Sequence, residues 1–154
     1  MRHSRRCSSA SPEDTAALAA ALAPRLAVGD TVWLRGELGA GKTAFVRAAA
    51  AALGVAGAVT SPTYTVGNRY HGTGPDVSHL DLYRSSGLTD EEWGDLEPYF
   101  DDAIVFVEWP DAGARLLPPP TVRVDIEFVP ADARLITVSS DDPGLVNALA
   151  SACP

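Results

Sequence analysis

The sequence predicts an α/β fold in which a mostly parallel central sheet is flanked by helices. Three observations lead to this prediction. A short apolar segment, residues 31–34, runs into a glycine-rich loop and then into a helical pattern of apolar residues. Residues 103–108 are apolar at every position but the last, which suits a strand buried on both faces of a parallel sheet. Residues 122–128 alternate apolar and polar side chains, the pattern of a half-buried strand.

Length and composition are those of one domain with a sizeable core. The chain has 154 residues, of which 46% are apolar, and we predict a single domain at residues 12–154. The sequence has twenty acidic and twelve basic residues, which give a formal charge of −8. This charge disfavours direct, independent binding to nucleic acid, which normally requires clustered lysines and arginines. A small cluster of basic side chains precedes the domain, and we expect residues 1–11 to form a disordered tail.

The cysteines and the hydropathy of the sequence indicate where the protein works. No apolar run approaches the length needed to span a bilayer, so we expect no membrane partner. Cys7 and Cys153 are near opposite ends and lack the Cys-x-x-Cys spacing of metal sites. We therefore expect neither a zinc site nor a disulfide framework, and a soluble, cytoplasmic protein.

The first predicted element is a helix that begins after Ser11. Ser11 is a favourable cap residue, and Pro12 suits the first helical turn. Glu13 and Asp14 complement the positive end of the helix dipole. Pro24 is expected to kink or end this helix, because its ring blocks a regular helical hydrogen bond.

The next strand and helix enclose a loop, residues 36–43, with the sequence Gly-Glu-Leu-Gly-Ala-Gly-Lys-Thr. This segment, called the phosphate loop below, fits the pattern G-x-x-x-x-G-K-[ST] at every fixed position. Its glycines let consecutive backbone N–H groups point at phosphate oxygens. Lys42 then reaches the outer phosphates, and the Thr43 hydroxyl can ligate Mg²⁺. The residues predicted to bind the nucleotide are Glu37, Leu38, Gly39, Ala40, Gly41, Lys42, Thr43, Ala44 and Thr63.

A segment rich in hydroxyl groups, residues 60–64, follows the helix after the phosphate loop. It is compatible with a plain turn that leads into a strand beginning at Tyr64. Alternatively, Thr63 and its neighbours sense the γ-phosphate and Mg²⁺ and become ordered in their presence. The residues alone leave both interpretations open.

Two acids stand at the ends of predicted strands, where parallel strands present side chains to bound phosphates. A short strand is predicted to end near Asp81, whose carboxylate can position a water, hold metal-bound water, or pair with Arg84. Glu108 ends the buried apolar run, as the acid of a Walker B strand does, and is a predicted Mg²⁺ ligand. His79 and Trp109 are expected to have structural roles.

The rest of the chain predicts an acidic segment and a C-terminal hairpin. Residues 90–102 are interpreted as a solvated helix face or, second, as a docking surface for a basic partner. Residues 122–128 and 134–138 flank a turn and predict an antiparallel hairpin. Asp142 then caps a last short helix.

Together these motifs resemble the TsaE family, formerly YjeE, of bacterial P-loop ATPases. The resemblance covers about residues 12–140 and rests on four stretches in the same order and at comparable spacing. These are the phosphate loop, Ser-Pro-Thr-Tyr at 61–64, His-Leu-Asp-Leu-Tyr-Arg at 79–84 and Glu-Trp-Pro at 108–110. Glu37 stands where the family usually has aspartate, and Tyr64 where phenylalanine is common. Neither difference removes a functional group.

The resemblance implies a P-loop NTPase fold and an ATPase that uses ATP and Mg²⁺. Such an ATPase supports synthesis of threonylcarbamoyladenosine next to the anticodon of tRNA, with the TsaD and TsaB proteins as partners. It is weak alone, is stimulated by those partners, and meets tRNA only through the complex. By position, Lys42 binds phosphate and shares the catalytic role with Asp81, while Thr43 and Glu108 serve Mg²⁺. Residues 61–63 are the implied switch-like loop.

Three other functions are compatible with a phosphate loop. A small-molecule or nucleoside kinase needs an acceptor pocket and usually a lid with arginines, for which only Arg115 stands between Glu108 and the hairpin. A GTPase usually carries an [NT]-K-x-D motif, which is absent because Lys42 is the single lysine of the sequence. A nucleotide sensor binds without useful hydrolysis.

Overall fold

The structure, a computed structural model, describes residues 1–60, 67–83 and 85–154. Within these ranges the strands are β1 His3–Ser9, β2 Thr31–Arg35, β3 Gly67–Tyr70, β4 Asp76–Asp81, β5 Ala103–Glu108, β6 Val122–Val129 and β7 Ala133–Ser140. The α-helices are α1 Pro12–Leu22, α2 Lys42–Ala52, α3 Asp90–Leu96 and α4 Pro143–Asn147. Short 3-10 helices span Ala23–Arg25, Glu97–Phe100 and Pro110–Gly113. The predicted strand start at Tyr64 lies outside the described residues.

The strands of the described residues form one seven-stranded sheet in the order β1-β7-β6-β2-β5-β4-β3. Strand β2 pairs in parallel with β5 and β6, and β4 pairs in parallel with β5. Antiparallel pairs β6–β7, β1–β7 and β3–β4 complete the two sides. The predicted α/β class, its parallel centre and its C-terminal hairpin are confirmed. The carboxyl ends of β2, β4 and β5 meet at one edge, where α/β proteins bind ligands.

The hydrophobic core has two parts, one on each face of the sheet. Helices α1, α2 and α4 cover the larger part, to which Phe45 and Phe106 contribute. Helix α3 and the segments around it cover the smaller part, which contains Trp33 and Val107. Strand β5 supplies alternate residues to both parts, as its unbroken apolar sequence predicts.

The helix boundaries follow the capping residues. Ser11 Oγ accepts a hydrogen bond from the backbone N–H of Asp14 at the start of α1, and α1 ends before Pro24 as predicted. Asp142 Oδ1 accepts from the N–H of Gly144 at the start of α4. Residues 90–96 of the acidic segment form α3, which a reciprocal capping box at its first turn stabilises.

Strand β1 corrects the prediction of a disordered tail at residues 1–11. His3–Ser9 pairs with β7 along its whole length, from His3 opposite Ser140 to Ser9 opposite Arg134. The polar composition concealed this strand, because its pairing depends on backbone hydrogen bonds and on the burial of small side chains. Residues 1–11 therefore belong in large part to the folded sheet.

A disulfide corrects the expectation that the cysteines are unpaired. Cys7 on β1 is bonded to Cys153, which follows α4, with a Cα–Cα distance of 5.1 Å. The two residues are 146 positions apart, so no local spacing could indicate the pair. The sheet brings them together, because β1 adds to β7 and α4 returns the chain over the same edge.

None of the helices within the described ranges is both long enough and apolar enough to cross a lipid bilayer.

Candidate active site

The phosphate loop connects the end of β2 to the first residue of α2. Gly36 sits so close to β6 that a Cβ atom there would lie 2.6 Å from the carbonyl oxygen of Ile126. Gly41 precedes α2 with a φ of 116°, a left-handed conformation that favours glycine. These two glycines fix the path of the loop, which leads directly into the first turn of α2, and a helix N-terminus favours a bound anion.

Lys42 is folded back into the loop. Its side chain is only 4% exposed, and its Nζ donates to the carbonyl oxygens of Gly36 at 2.5 Å and Glu37 at 3.0 Å. Burial lowers the pKa of Lys42, while the carboxylates of Glu108 and Asp81 act in the opposite direction. The ammonium group is thus held beside two acids at the position where phosphate oxygens would enter.

Glu108, at the end of β5, contacts Thr43, the other metal ligand predicted from the sequence. Thr43 Oγ1 donates to its carboxylate, at 2.9 Å to Oε2 and 3.2 Å to Oε1. The His79 ring also contacts it, with Nε2 at 2.5 Å from Oε2. Glu108 is 3% exposed, so a threonine hydroxyl and an imidazole define the position of this carboxylate.

Asp81 ends β4 directly opposite Glu108 in the parallel register. Its Oδ1 accepts a hydrogen bond from the N–H of Tyr83 at 2.9 Å. Burial raises the pKa of Asp81, the Tyr83 N–H opposes this, and the nearby charge of Glu108 raises the pKa further. The alternative partner Arg84 lies outside the described residues.

Two aromatic side chains form the wall beside Lys42. Trp109 has a left-handed φ of 56°, which turns its ring over the Lys42 ammonium at 4.3 Å from the ring centroid. The Tyr83 ring packs on Trp109 with centroids 4.8 Å apart. Trp109 packs against the smaller core, as expected, and it also lines the site, which the sequence analysis did not predict.

These groups surround one cavity of about 220 Å³, called the carboxylate cavity below. Its lining consists of Leu38, Gly39, Gly41, Lys42, Thr43, Ala44, Asp81, Tyr83, Glu108 and Trp109. The structure therefore brings together both predicted catalytic residues, both predicted metal ligands and most of the phosphate loop. Glu37 takes part through its carbonyl oxygen. Thr63 and the rest of residues 61–63 lie outside the described residues.

A second cavity of about 240 Å³ lies on the other side of the phosphate loop. This arginine cavity is lined by Ser9, Ala10, Ser11, Pro12, Thr15, Gly39, Ala40, Gly41, Ala44, Asp132 and Arg134. Arg134 Nε donates to the carbonyl oxygen of Ala40 at 3.1 Å, and its guanidinium lies 4.2 Å from the Phe128 ring centroid. The sequence analysis missed this cavity, because its walls come from β1, α1 and the hairpin.

The Thr43 and Glu108 oxygens suit Mg²⁺, which is commonly held by one or two carboxylates together with substrate phosphates and water. In the part of the chain that the structure describes, no group of three or more His, Cys, Asp or Glu side chains could hold a metal ion. The donor set therefore fits a cation that arrives with a phosphate ligand, and not a closed structural metal site.

Comparison with known proteins identifies the family. The family model described as "Threonylcarbamoyl adenosine biosynthesis protein TsaE" matches residues 9–136. The chain belongs to the TsaE family. The match includes the phosphate loop, Asp81, Glu108 and the hairpin up to Ile136, so it spans both cavities.

Relatives named "tRNA threonylcarbamoyladenosine biosynthesis protein TsaE" come from several bacteria. The one from Streptomyces coelicolor is 44% identical over 115 residues, covering 72% of this chain and 77% of the relative. The one from Treponema pallidum is 36% identical over 135 residues, covering 87% and 99%. The crystal structure of Bacillus subtilis YdiB superposes with a TM-score of 0.76 at 27% identity, covering 99% of this TsaE-family chain and 95% of YdiB.

Proposed function

We propose that this chain is a Mg²⁺-dependent ATPase that supports threonylcarbamoyladenosine modification of tRNA together with the TsaD and TsaB proteins. The observation that carries the proposal is the carboxylate cavity, where Lys42, Thr43, Asp81 and Glu108 meet at the carboxyl edge of the parallel strands. Phosphoryl transfer needs such an arrangement of one cation, metal ligands and a group that orients the attacking water. The proposed role in tRNA modification is supported by the names of the family and of its relatives, which refer to threonylcarbamoyladenosine biosynthesis.

Four side chains of the cavity and the N–H groups of the phosphate loop have separate parts in the proposed hydrolysis. The N–H groups of the phosphate loop and the Lys42 ammonium bind the outer phosphates, for which Lys42 exchanges its contacts with Gly36 and Glu37. Thr43 and Glu108 are the residues that would hold Mg²⁺, which neutralises charge on the phosphate oxygens when it is bound. Asp81 orients the water that attacks the γ-phosphorus, and its raised pKa suits it to receive a proton.

The arginine cavity offers room for the nucleoside half of ATP. It shares Gly39, Gly41 and Ala44 with the carboxylate cavity, so a ligand whose phosphates follow the loop can extend into it. The Arg134 guanidinium, which lies over the Phe128 ring, supplies a planar surface in this cavity on which a base can stack. The absence of an [NT]-K-x-D motif supports adenine as that base.

Substitution of Arg134 by alanine is expected to weaken ATP binding by about 5- to 150-fold, because base stacking contributes roughly 1–3 kcal/mol. Inorganic tripolyphosphate should bind the variant as well as it binds the original chain, since it lacks a base. Calorimetric titration with both ligands measures this difference. Arg25→Ala, on a separate 3-10 helix, is the matched control. Equal weakening for both ligands would show instead that Arg134 acts through its contact with Ala40 in the loop.

The rim of the carboxylate cavity supports docking on partner proteins. Leu38 on the phosphate loop is 68% exposed and Tyr83 is 50% exposed, so two large apolar side chains stand at the mouth of the site. A partner that covers them would exclude bulk water from the cavity and complete it, so we expect hydrolysis to be weak alone and to be stimulated by TsaD and TsaB. The formal charge of −8 favours contact with tRNA only through that complex.

The deciding experiment follows γ-labelled ATP incubated with the purified chain, Mg²⁺ and the TsaB–TsaD complex. Release of label as free phosphate, faster with the partners than without them, is the expected result. Transfer of label to a small metabolite would instead support a P-loop kinase. Binding without multiple turnovers in the presence of the partners would indicate a nucleotide sensor, and the proposed ATPase would then be wrong.

Asp81→Asn is expected to lower partner-stimulated hydrolysis about 100-fold, the usual size of an effect on acid–base catalysis. Burial raises the pKa of Asp81 in the folded chain above its ordinary value. The free energy of unfolding therefore falls as pH rises from the ordinary pKa to the raised one, because the unfolded chain ionises first. The variant removes this loss of stability while keeping an oxygen for the Tyr83 N–H. Its melting temperature should therefore exceed that of the original chain above this interval.

Asp76→Asn is the matched control on the same strand. Hydrogen bonds from His71 and Arg69 lower the pKa of Asp76, so its carboxylate stabilises the fold above the ordinary pKa of aspartate. This variant should melt at a lower temperature and hydrolyse ATP at the original rate. Retention of full hydrolysis by Asp81→Asn would exclude Asp81 from the catalytic role.

A further inference from the structure

A buried histidine lies directly behind the carboxylate of Glu108. His79 is 0% exposed, and its Nε2 is 2.5 Å from Glu108 Oε2. It precedes Asp81 by two positions on β4, so both side chains point to the face of the sheet that α2 covers. The ring does not line the carboxylate cavity, and so it does not reach a ligand bound there.

The hydrogen-bond pattern assigns the proton on this histidine. An ionised carboxylate only accepts hydrogen bonds, so His79 Nε2 is the donor to Glu108. Nδ1 is buried and has no hydrogen-bond partner among the residues that the structure describes. A proton on Nδ1 would be left unpaired in the core, which is costly, and the neutral Nε2–H tautomer avoids that cost.

The contact restricts the orientation of Glu108. A glutamate side chain has three rotatable bonds, and its carboxylate can turn either oxygen toward the ligand. His79 Nε2, on β4, hydrogen-bonds to Oε2 of Glu108, and the Thr43 hydroxyl, in the first turn of α2, donates to the same carboxylate. The carboxylate is therefore presented to the cavity in one orientation before any ligand arrives.

We propose that His79 is a positioning residue that orients Glu108 for the Mg²⁺ of the bound nucleotide. This inference rests on the proposed function, because it requires that Glu108 serve a metal ion. Residues that hydrogen-bond to metal ligands fix the direction of those ligands, and their loss commonly weakens metal binding by about 10–100-fold. His79 acts through Glu108 alone and contributes nothing to the binding of the base.

Three substitutions of His79 separate hydrogen bonding from packing. His79→Leu keeps a similar volume without a donor. His79→Gln carries an amide N–H₂ group at a depth similar to that of Nε2, whereas His79→Asn carries it one carbon nearer the backbone. If His79→Leu does not fold, the Gln and Asn variants still make the comparison. Ser78→Ala is the matched control, because Ser78 is equally buried on β4 but donates to the carbonyl oxygen of Tyr99, away from the site.

The measurement is a calorimetric titration of Mg²⁺ into the complex of the full chain with ADP, together with ADP affinity and melting temperature in EDTA. We expect His79→Leu and His79→Asn to weaken Mg²⁺ binding about 10–100-fold and to leave metal-free ADP affinity unchanged. His79→Gln should recover most of the Mg²⁺ affinity. Ser78→Ala should lower the melting temperature and leave Mg²⁺ affinity unchanged.

The outcomes distinguish this inference from the function on which it rests. If the original chain binds ADP without any enhancement by Mg²⁺, the proposed function fails, and the inference fails with it. If the original chain binds Mg²⁺ and His79→Leu binds it equally well, only the positioning role is wrong. The role is also wrong if His79→Gln is as weak as His79→Leu, because a donor would then have no effect.

Discussion

Replacement of Lys42 by alanine is expected to lower kcat/KM for ATP by about 10²–10³-fold, the usual effect of removing one hydrogen-bond donor from a developing negative charge. Lys42 is the single lysine of the sequence, and its ammonium group lies beside Glu108 and Asp81 in the carboxylate cavity. Phosphate release is measured with and without the TsaB–TsaD complex. The loss should affect both conditions, because a protein that docks from outside cannot replace a charge inside the loop.

The structure also suggests a control for folding of the Lys42→Ala variant. Removing the ammonium leaves the carbonyl oxygens of Gly36 and Glu37 without this donor, so a modest fall in melting temperature is expected. Arg47→Ala is the matched substitution, because Arg47 lies on the same helix and donates to the carbonyl oxygen of Val59, away from the cavity. If Lys42→Ala supported the partner complex as well as the original chain, the ATPase assignment would be wrong.

Reduction of the Cys7–Cys153 disulfide is expected to have the largest effect on stability. The bond closes a loop with a sequence separation of 146, for which chain entropy predicts a contribution of about 5 kcal/mol. Measured losses for native disulfides are roughly 2–5 kcal/mol, and each kcal/mol shifts the melting temperature of a chain this size by about 2–4 °C. A dithiol reductant should therefore lower the melting temperature by roughly 5–15 °C.

Cys153→Ser is the preferred variant for this measurement, because Cys7 is the more buried partner and behaves as a small apolar side chain when reduced. The variant should melt like the reduced chain and should not respond to the reductant. A melting temperature of the original chain that is the same with and without reductant would contradict the prediction. Since thiols are kept mostly reduced in reducing compartments, the comparison also gives the stability that the chain has under reducing conditions.

Local signals in the sequence account for what could be predicted. The strand, loop and helix around Lys42 follow from glycine spacing and helical periodicity over neighbouring residues. Strand β5 follows from an unbroken apolar run, and Ser11 and Asp142 mark helix starts through their caps. Because parallel strands bring their carboxyl ends to one edge, Asp81 and Glu108 could also be placed together without coordinates.

Features that depend on distant pairing could not be predicted. Strand β1 has a polar sequence, and only its register with β7 reveals it. The arginine cavity needs β1, α1 and Arg134 to meet, and these are far apart in the sequence. The contact of His79 with Glu108 had a usable signal, because period-two spacing places His79 on the same face as Asp81. Recognising it required the order of β4 and β5 in the sheet.

The position of β1 has a consequence for synthesis on the ribosome. Within the described sheet, β1 pairs with β7 alone, which is made after all the other strands. At a translation rate of about 5–20 residues per second, β7 is synthesised on the order of ten seconds after β1. The serines and arginines of β1 keep the unpaired segment hydrated and disfavour its pairing with other nascent strands. The polar sequence that conceals the strand from prediction therefore also lowers its tendency to aggregate during translation.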